Sequence, residues 1–99
     1  MTPAAHALAA IEVLTEIETR RSPAAGALKG WGAAHRFAGS GDRARIASIV
    51  YDALRSRASI AWRMGEATPR ALVLGALAFV RRADIDALAA AFAASPHAP

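Results

Sequence analysis

The stretch Asp42-Arg-Ala-Arg-Ile-Ala-Ser-Ile-Val-Tyr-Asp-Ala-Leu-Arg-Ser-Arg57 decides the fold of this chain. Its apolar residues recur at i, i+3, i+4, i+7 and i+8, the spacing of one side of an α-helix: Ile46, Ile49, Val50, Ala53 and Leu54. The opposite side is expected to carry Arg45, Ser48, Asp52 and Arg55, with Arg43 and Arg57 beyond the two ends of the apolar stripe. The segment predicts a helix from about residue 42 to 56 that has one packing face and one cationic face.

Three further helix starts share one signature, a hydroxyl residue followed by proline: Thr2-Pro3, Ser22-Pro23 and Thr68-Pro69. The hydroxyl can cap free backbone N–H groups, and proline at the first helical position pre-sets φ without losing a needed donor. No segment alternates like a strand, and 28 of the 99 residues are alanine, which favours helices over strands. We therefore predict an all-α protein, a small bundle of five to six helices.

Start and stop signals set the approximate bounds of the other helices. The first helix runs from Pro3 to Arg20. The second begins at Pro23 and is expected to be short and irregular, because glycines weaken it. The remaining helices run from Ser59 to Glu66, from Pro69 to Arg82 and from Asp84 to Ala93. Residues 1–94 then form one domain, and residues 95–99 form a tail or the start of a linker.

A chain of this length buries only a thin core, so each bulky residue matters. The first helix is expected to bury its large apolar residues Leu8, Ile11, Leu14 and Ile17. The fifth is expected to direct Leu72, Val73, Leu77 and Val80 inward. The bulk of Trp31 and Trp62 places both in the core, with stacking on RNA bases as the alternative.

Composition narrows the class of protein. The formal net charge is +4, and eleven of the twelve Lys and Arg residues are Arg, the side chain suited to phosphate contacts and to stacking on bases. The absence of cysteine excludes disulfides, thiolate metal sites and a cysteine nucleophile. No secretory signal and no apolar run of membrane-spanning length is recognisable, so we expect a soluble cytoplasmic protein with no membrane partner.

Residues that could carry chemistry are few. Glu12 and Glu16 lie one helical turn apart but lack a third ligand, and the histidines are scattered without an evident Ser or Asp partner. The turn Gly39-Ser40-Gly41 lacks the Lys-Ser/Thr pair of a phosphate-binding loop. We therefore expect no catalytic centre, no metal site and no cofactor in this chain.

Arginines cluster in the middle of the sequence, where few acidic residues neutralise them. Two interpretations stay open: the arginines solvate helix faces and form ion pairs, or together they form a nucleic-acid footprint. The candidates for RNA contact are Arg36, Arg43, Arg45, Arg55, Arg57 and Arg63.

The same segment resembles the central helix of the NusB-like RNA-binding domain found at the N-terminus of the RsmB/Sun (Fmu) family of ribosomal RNA cytosine-C5 methyltransferases. Asp42-Arg43 is similar to the opening of that helix, Val50-Tyr51 and Leu54-Arg55 to its middle, and Trp62 to the aromatic residue after it. The resemblance extends from about Ala9 to Val80, with the helix from Arg70 similar to the next hydrophobic helix of the family.

The resemblance implies a NusB-like helical domain that contacts ribosomal RNA, while a downstream domain binds S-adenosylmethionine and uses cysteines for methylation. This chain has neither the glycine-rich methyl-donor loop nor a cysteine, so S-adenosylmethionine is expected only in such a downstream domain. The family continues into a helix near an Asn-Glu-Ala-Val run that this chain lacks. Either the chain represents a shortened subgroup or the sequence stops near the end of the domain, and apolar surface on the last helices is left uncovered.

Three functional hypotheses follow. The leading one is an RNA-binding domain, the N-terminal substrate-binding module of a ribosomal RNA methyltransferase. A second is a free-standing NusB-like transcription antitermination factor. The third belongs to another class, a helical interaction module that docks on a C-terminal methyltransferase domain or forms a homodimer.

Overall fold

The computed structural model describes residues 1–80, which form a helical bundle without strands. Its elements are α1 (Pro3–Arg20), α2 (Ala24–Ala34), α3 (Ser40–Arg55), α4 (Arg57–Met64) and α5 (Pro69–Gly75), followed by a π-helical segment (Ala76–Val80). The predicted all-α bundle is confirmed. The helix predicted from Asp84 to Ala93, the predicted end of the fifth helix at Arg82 and the domain boundary at residue 94 lie outside the described residues.

Helix α1 lies at the centre and packs against α2, α3 and α5, while α4 packs mainly on α5. Alanines line much of the core and let the helix backbones approach closely. The core consists of Ala9, Ala10, Val13, Leu14, Ala27, Ile46, Ile49, Val50, Ala53, Ile60, Leu72, Val73 and Ala76. Within residues 1–80, no helix combines the length and apolar character needed to cross a lipid bilayer.

Helix α3 buries the stripe that its sequence predicts. Ile46, Ile49, Val50 and Ala53 are buried, and Leu54 is half-buried against the core. The helix begins at Ser40, two residues earlier than predicted. The reason is that Asp42 does not cap the helix itself, because its carboxylate accepts a hydrogen bond from the backbone N–H of Gly39 one turn back (3.2 Å).

The predicted inner face of α1 was partly wrong. Leu14 is fully buried, Ile11 and Ile17 are half-buried, but Leu8 is 58% exposed. A spacing of three residues drifts by about 60° at each step, so four such residues cannot share one face. The smaller residues Ala9, Ala10 and Val13 define the buried side instead.

Helix α2 is a regular helix of 11 residues, so the prediction of an irregular one was wrong. Gly26 and Gly30 cost helix propensity, but Ala27 is buried and Leu28 and Trp31 pack against the core. The predicted Ser22 cap is also absent: Pro23 is the N-cap and makes no side-chain cap bond. At the other two starts the hydroxyls cap as predicted, since Thr2 accepts from the Ala5 N–H (3.1 Å) and Thr68 from the Ala71 N–H (3.2 Å).

Helix α4 starts and ends two residues earlier than predicted, and Trp62 is 85% exposed instead of in the core. Ile60 is the buried residue of α4, and a residue two positions later lies about 200° round the helix, on the opposite side. In α5, Leu72 and Val73 are buried as predicted. The π-helical segment that follows leaves Leu77 half-buried and Val80 exposed, so Val80 does not point inward as predicted.

Candidate nucleic-acid interface

All six arginines selected from the sequence have exposed side chains. They extend from the loop after α2, along α3, to the end of α4. Helix α3 alone covers about 24 Å, because each helical residue adds about 1.5 Å. The structure therefore distributes the candidates along an extended surface and divides them into groups with different surroundings.

Two candidates form ion pairs with acidic neighbours. The Arg55 guanidinium binds Asp52 three residues earlier on α3, and the Arg57 guanidinium binds Glu18 of α1. Asp52 is buried, not on the outer cationic face as predicted, because it follows the buried Ile49 by three residues and so lies only about 60° round the helix from it. The Arg57 pair joins the start of α4 to α1, whereas the Arg55 pair lies within α3.

Two others, Arg36 and Arg43, border the C-terminal end of α2. Arg43 crosses over from α3 so that its Cδ lies 3.2 Å from the position that a Cβ on Gly32 would occupy. Arg36 follows His35, whose backbone N–H bonds the Gly32 carbonyl (3.3 Å). The absence of a side chain at Gly32 is what lets the Arg43 stem lie flat against α2.

Three aromatic rings at this end of α2 form a row that we call the aromatic ladder: Trp31, His35 and Phe37. The Trp31 and His35 rings stack with centroids 4.2 Å apart and planes 9° apart, and Phe37 meets His35 edge to face at 5.9 Å. Phe37 is 75% exposed. Trp31 is half-buried against the core, which agrees in part with its predicted core position.

Sequence reasoning missed the aromatic ladder. The only available signal was the spacing of Trp31 and His35, one helical turn apart, followed by an Arg-Phe pair. The glycines of α2 predicted an irregular helix, and in an irregular helix two residues four positions apart need not lie on the same face.

Arg45 lies on another side of α3. It follows Arg43 by two positions, a rotation of about 200°, so the two side chains leave α3 in opposite directions. Among residues 1–80, neither Arg45 nor Arg36 forms an ion pair. Arg36 lies between His35 and Phe37 in the chain, and the Arg43 side chain lies against Gly32, the residue after Trp31, whereas Arg45 lies on another side of α3.

The last candidate, Arg63, lies over the ring of Phe79 with its guanidinium carbon 5.0 Å from the ring centroid. Five large apolar side chains on α4, on α5 and in the π-helical segment are exposed. They are Trp62, Met64, Leu74, Phe79 and Val80, which we call the α4–α5 apolar patch.

Asp42 joins the start of α3 to the start of α1. The His6 Nε2–H donates to its Oδ1 at 2.8 Å, a partner that the sequence did not reveal, and the chain's terminal amine lies 3.5 Å from the same oxygen. The hydrogen bond from His6 is the main reason that the pKa of Asp42 is held below its ordinary value of 3.8, and the bond from the Gly39 N–H adds to it.

This lowered pKa predicts a pH dependence of stability. A carboxyl whose pKa is depressed by folding stabilises the fold above its unfolded pKa, and this stabilisation is lost as the pH falls through the lower folded value. Asp42→Asn should therefore reduce the free energy of unfolding at neutral pH and lose less stability than the native chain below about pH 4. Urea titrations followed by circular dichroism across this range test it, and parallel curves for the two proteins contradict it.

An open cleft of about 570 Å³ between α1 and α2 is lined by Glu12, Glu16, Gly26, Gly30 and Trp31, among others. Both carboxylates already have partners: Glu12 accepts from the Trp31 Nε1–H (3.0 Å), and Glu16 pairs with Arg20 (3.5 Å), as the i,i+4 spacing predicts. In the part of the chain that the structure describes, no three His, Asp or Glu residues are placed to hold a metal ion.

Comparison of the chain with protein-family models, with curated proteins and with solved structures gave no match.

Proposed function

We propose that this chain is an RNA-binding module, and that it serves as the N-terminal substrate-binding part of an S-adenosylmethionine-dependent ribosomal RNA cytosine-C5 methyltransferase. The proposal includes a NusB-like arrangement of the helices, a cytoplasmic location, and a methyl donor bound only by a downstream domain. The resemblance of residues 42–57 to the RsmB/Sun family motivates the choice of enzyme class.

The observation that carries the RNA-binding part is the state of the arginines. Four of the six candidates form no ion pair within residues 1–80, although all are exposed: Arg36, Arg43, Arg45 and Arg63. An unpaired exposed guanidinium is available to a phosphate, and release of condensed counterions then favours the complex. Arg55 and Arg57 also remain exposed enough to approach a phosphate from within their ion pairs.

The test measures binding of a fluorescently labelled ribosomal RNA fragment over a series of salt concentrations. Affinity should fall linearly with salt on a double logarithmic plot. Arg45→Gln and Arg36→Gln should each weaken binding and reduce the magnitude of this slope by about 0.7 to 0.9, the loss of one phosphate contact.

Arg20→Gln is the matched control, because it removes the same charge from an exposed side chain that is paired with Glu16 on α1. The control should bind RNA like the native protein. Equal losses in all three variants would show that net charge alone is responsible, and salt-insensitive binding or none would overturn the proposal.

A second candidate function, a protein-interaction or dimerisation module, is favoured by the α4–α5 apolar patch. Trp62 at 85% exposed is its most prominent member. Hydrophobic association is not weakened by salt, so light scattering at high salt separates the two candidates. A salt-resistant dimer without RNA affinity, dissociated by Trp62→Ala, would support the interaction module. Free-standing antitermination activity is a variant of the RNA-binding proposal and has no separate support in the geometry.

A further inference from the structure

We propose that the aromatic ladder is a stacking site for an unpaired nucleobase, with Phe37 as its outer platform and with Arg36 and Arg43 beside it for the flanking phosphates. The inference rests on the proposed RNA-binding function and deepens it, because it specifies that the RNA is single-stranded where it meets the end of α2.

The inner part of the aromatic ladder is held rigidly. The Trp31 Nε1–H donates to Glu12 on α1, which fixes the indole against the core. The His35 Nδ1–H donates to the Trp31 carbonyl at 2.8 Å, and the imidazole lies nearly parallel to the indole. Both rings are thus oriented before any ligand arrives, so little conformational entropy is lost on binding.

The outer ring is open. Phe37 rests against His35 on one side and exposes three-quarters of its surface, although a phenylalanine gains about 1.5 to 3 kcal/mol from full burial. Nothing among the described residues covers it. An exposed aromatic ring next to arginines that form no ion pair within residues 1–80 is the combination that single-stranded nucleic-acid sites use, since every base has a π-face and each linkage carries a negative charge.

The geometry also distinguishes between kinds of RNA. In an A-form duplex the bases stack on their own neighbours, and the deep major groove is too narrow for side chains to read. A protein ring can therefore stack only on a base that is unpaired, in a loop, bulge or single strand. Arg45 lies on the other side of α3, outside this site. We therefore expect its contacts to be the same with single-stranded and with double-stranded RNA.

Two substitutions at Phe37 separate stacking from simple apolar contact. Phe37→Leu keeps apolar bulk and removes the ring, while Phe37→Tyr keeps the ring. We expect Phe37→Leu to weaken binding of a short single-stranded RNA by roughly 5- to 100-fold, and Phe37→Tyr to bind like the native protein. Binding of the same strand annealed to its complement should be unchanged in both variants, and so should the salt dependence.

Leu74→Ala is the control, because it removes an exposed apolar side chain from α5, outside the aromatic ladder. The stacking site is overturned if Phe37→Leu leaves single-strand affinity unchanged, or if it weakens single-strand and duplex binding equally. If either result is found while Arg36→Gln still reduces RNA affinity and the magnitude of the salt slope, the RNA-binding function stands without the stacking site. If the native chain binds no RNA, both proposals fail together.

Discussion

Gly75→Ala should destabilise the protein by about 2 to 3 kcal/mol, even though alanine is the better helix former by about 1 kcal/mol. A Cβ on Gly75 would overlap the Cγ2 of Ile60 and approach the Cγ of Met64 to 3.3 Å. Ile60 is 1% exposed and has no free space to move into, so α4 and α5 must separate. Urea unfolding followed by circular dichroism measures the loss.

A double-mutant cycle tests the proposed cause. In an Ile60→Ala background the obstructing methyl group is absent, so Gly75→Ala should cost much less there than in the native chain. Gly30→Ala is the matched glycine control, since a Cβ at that position would meet nothing within 4 Å. It should stabilise α2 by up to about 1 kcal/mol. An equal cost of Gly75→Ala in both backgrounds would refute the steric explanation.

Local sequence signals predicted much of this fold. The buried stripe on α3 was predicted correctly because its five apolar residues at helical spacing all lie on one side, and no other side of the helix is comparably apolar. The caps at Thr2 and Thr68 were predictable because they depend only on atoms within the first turn. Ser22 failed as a cap because α1 ends in a left-handed Arg21 and α2 begins only at Ala24, so the short connection places Pro23 at the cap position.

The candidate site was predicted less well, because its parts come from different helices. The arginines were identifiable by type, but their surroundings depend on which helices meet: Glu18 of α1 reaches Arg57, and Gly32 of α2 receives the stem of Arg43. Trp62 was assigned to the core by its size, yet its register on α4 relative to Ile60 decides its exposure. Bulk alone does not specify which side of a helix is buried.

Leu14→Ala should cost about 3 kcal/mol of unfolding free energy, whereas Leu8→Ala should change it by less than about 0.5 kcal/mol. Both residues are leucines on α1, and apolar spacing alone placed both inside. Leu14 is 0% exposed within the central cluster, so its truncation leaves a cavity in a close-packed core. Leu8 is 58% exposed and contributes little apolar burial to lose.

The comparison of these two variants decides which face of α1 packs against the rest of the bundle. Alanine has a higher helix propensity than leucine, so both substitutions include the same small stabilising effect on α1. The difference between their changes in unfolding free energy therefore reports packing alone. Because α1 contacts α2, α3 and α5, a cavity at Leu14 weakens several interfaces at once. Comparable losses for the two variants would mean that α1 is rotated about its axis, which would move Glu12 away from the Trp31 indole that it binds in the aromatic ladder.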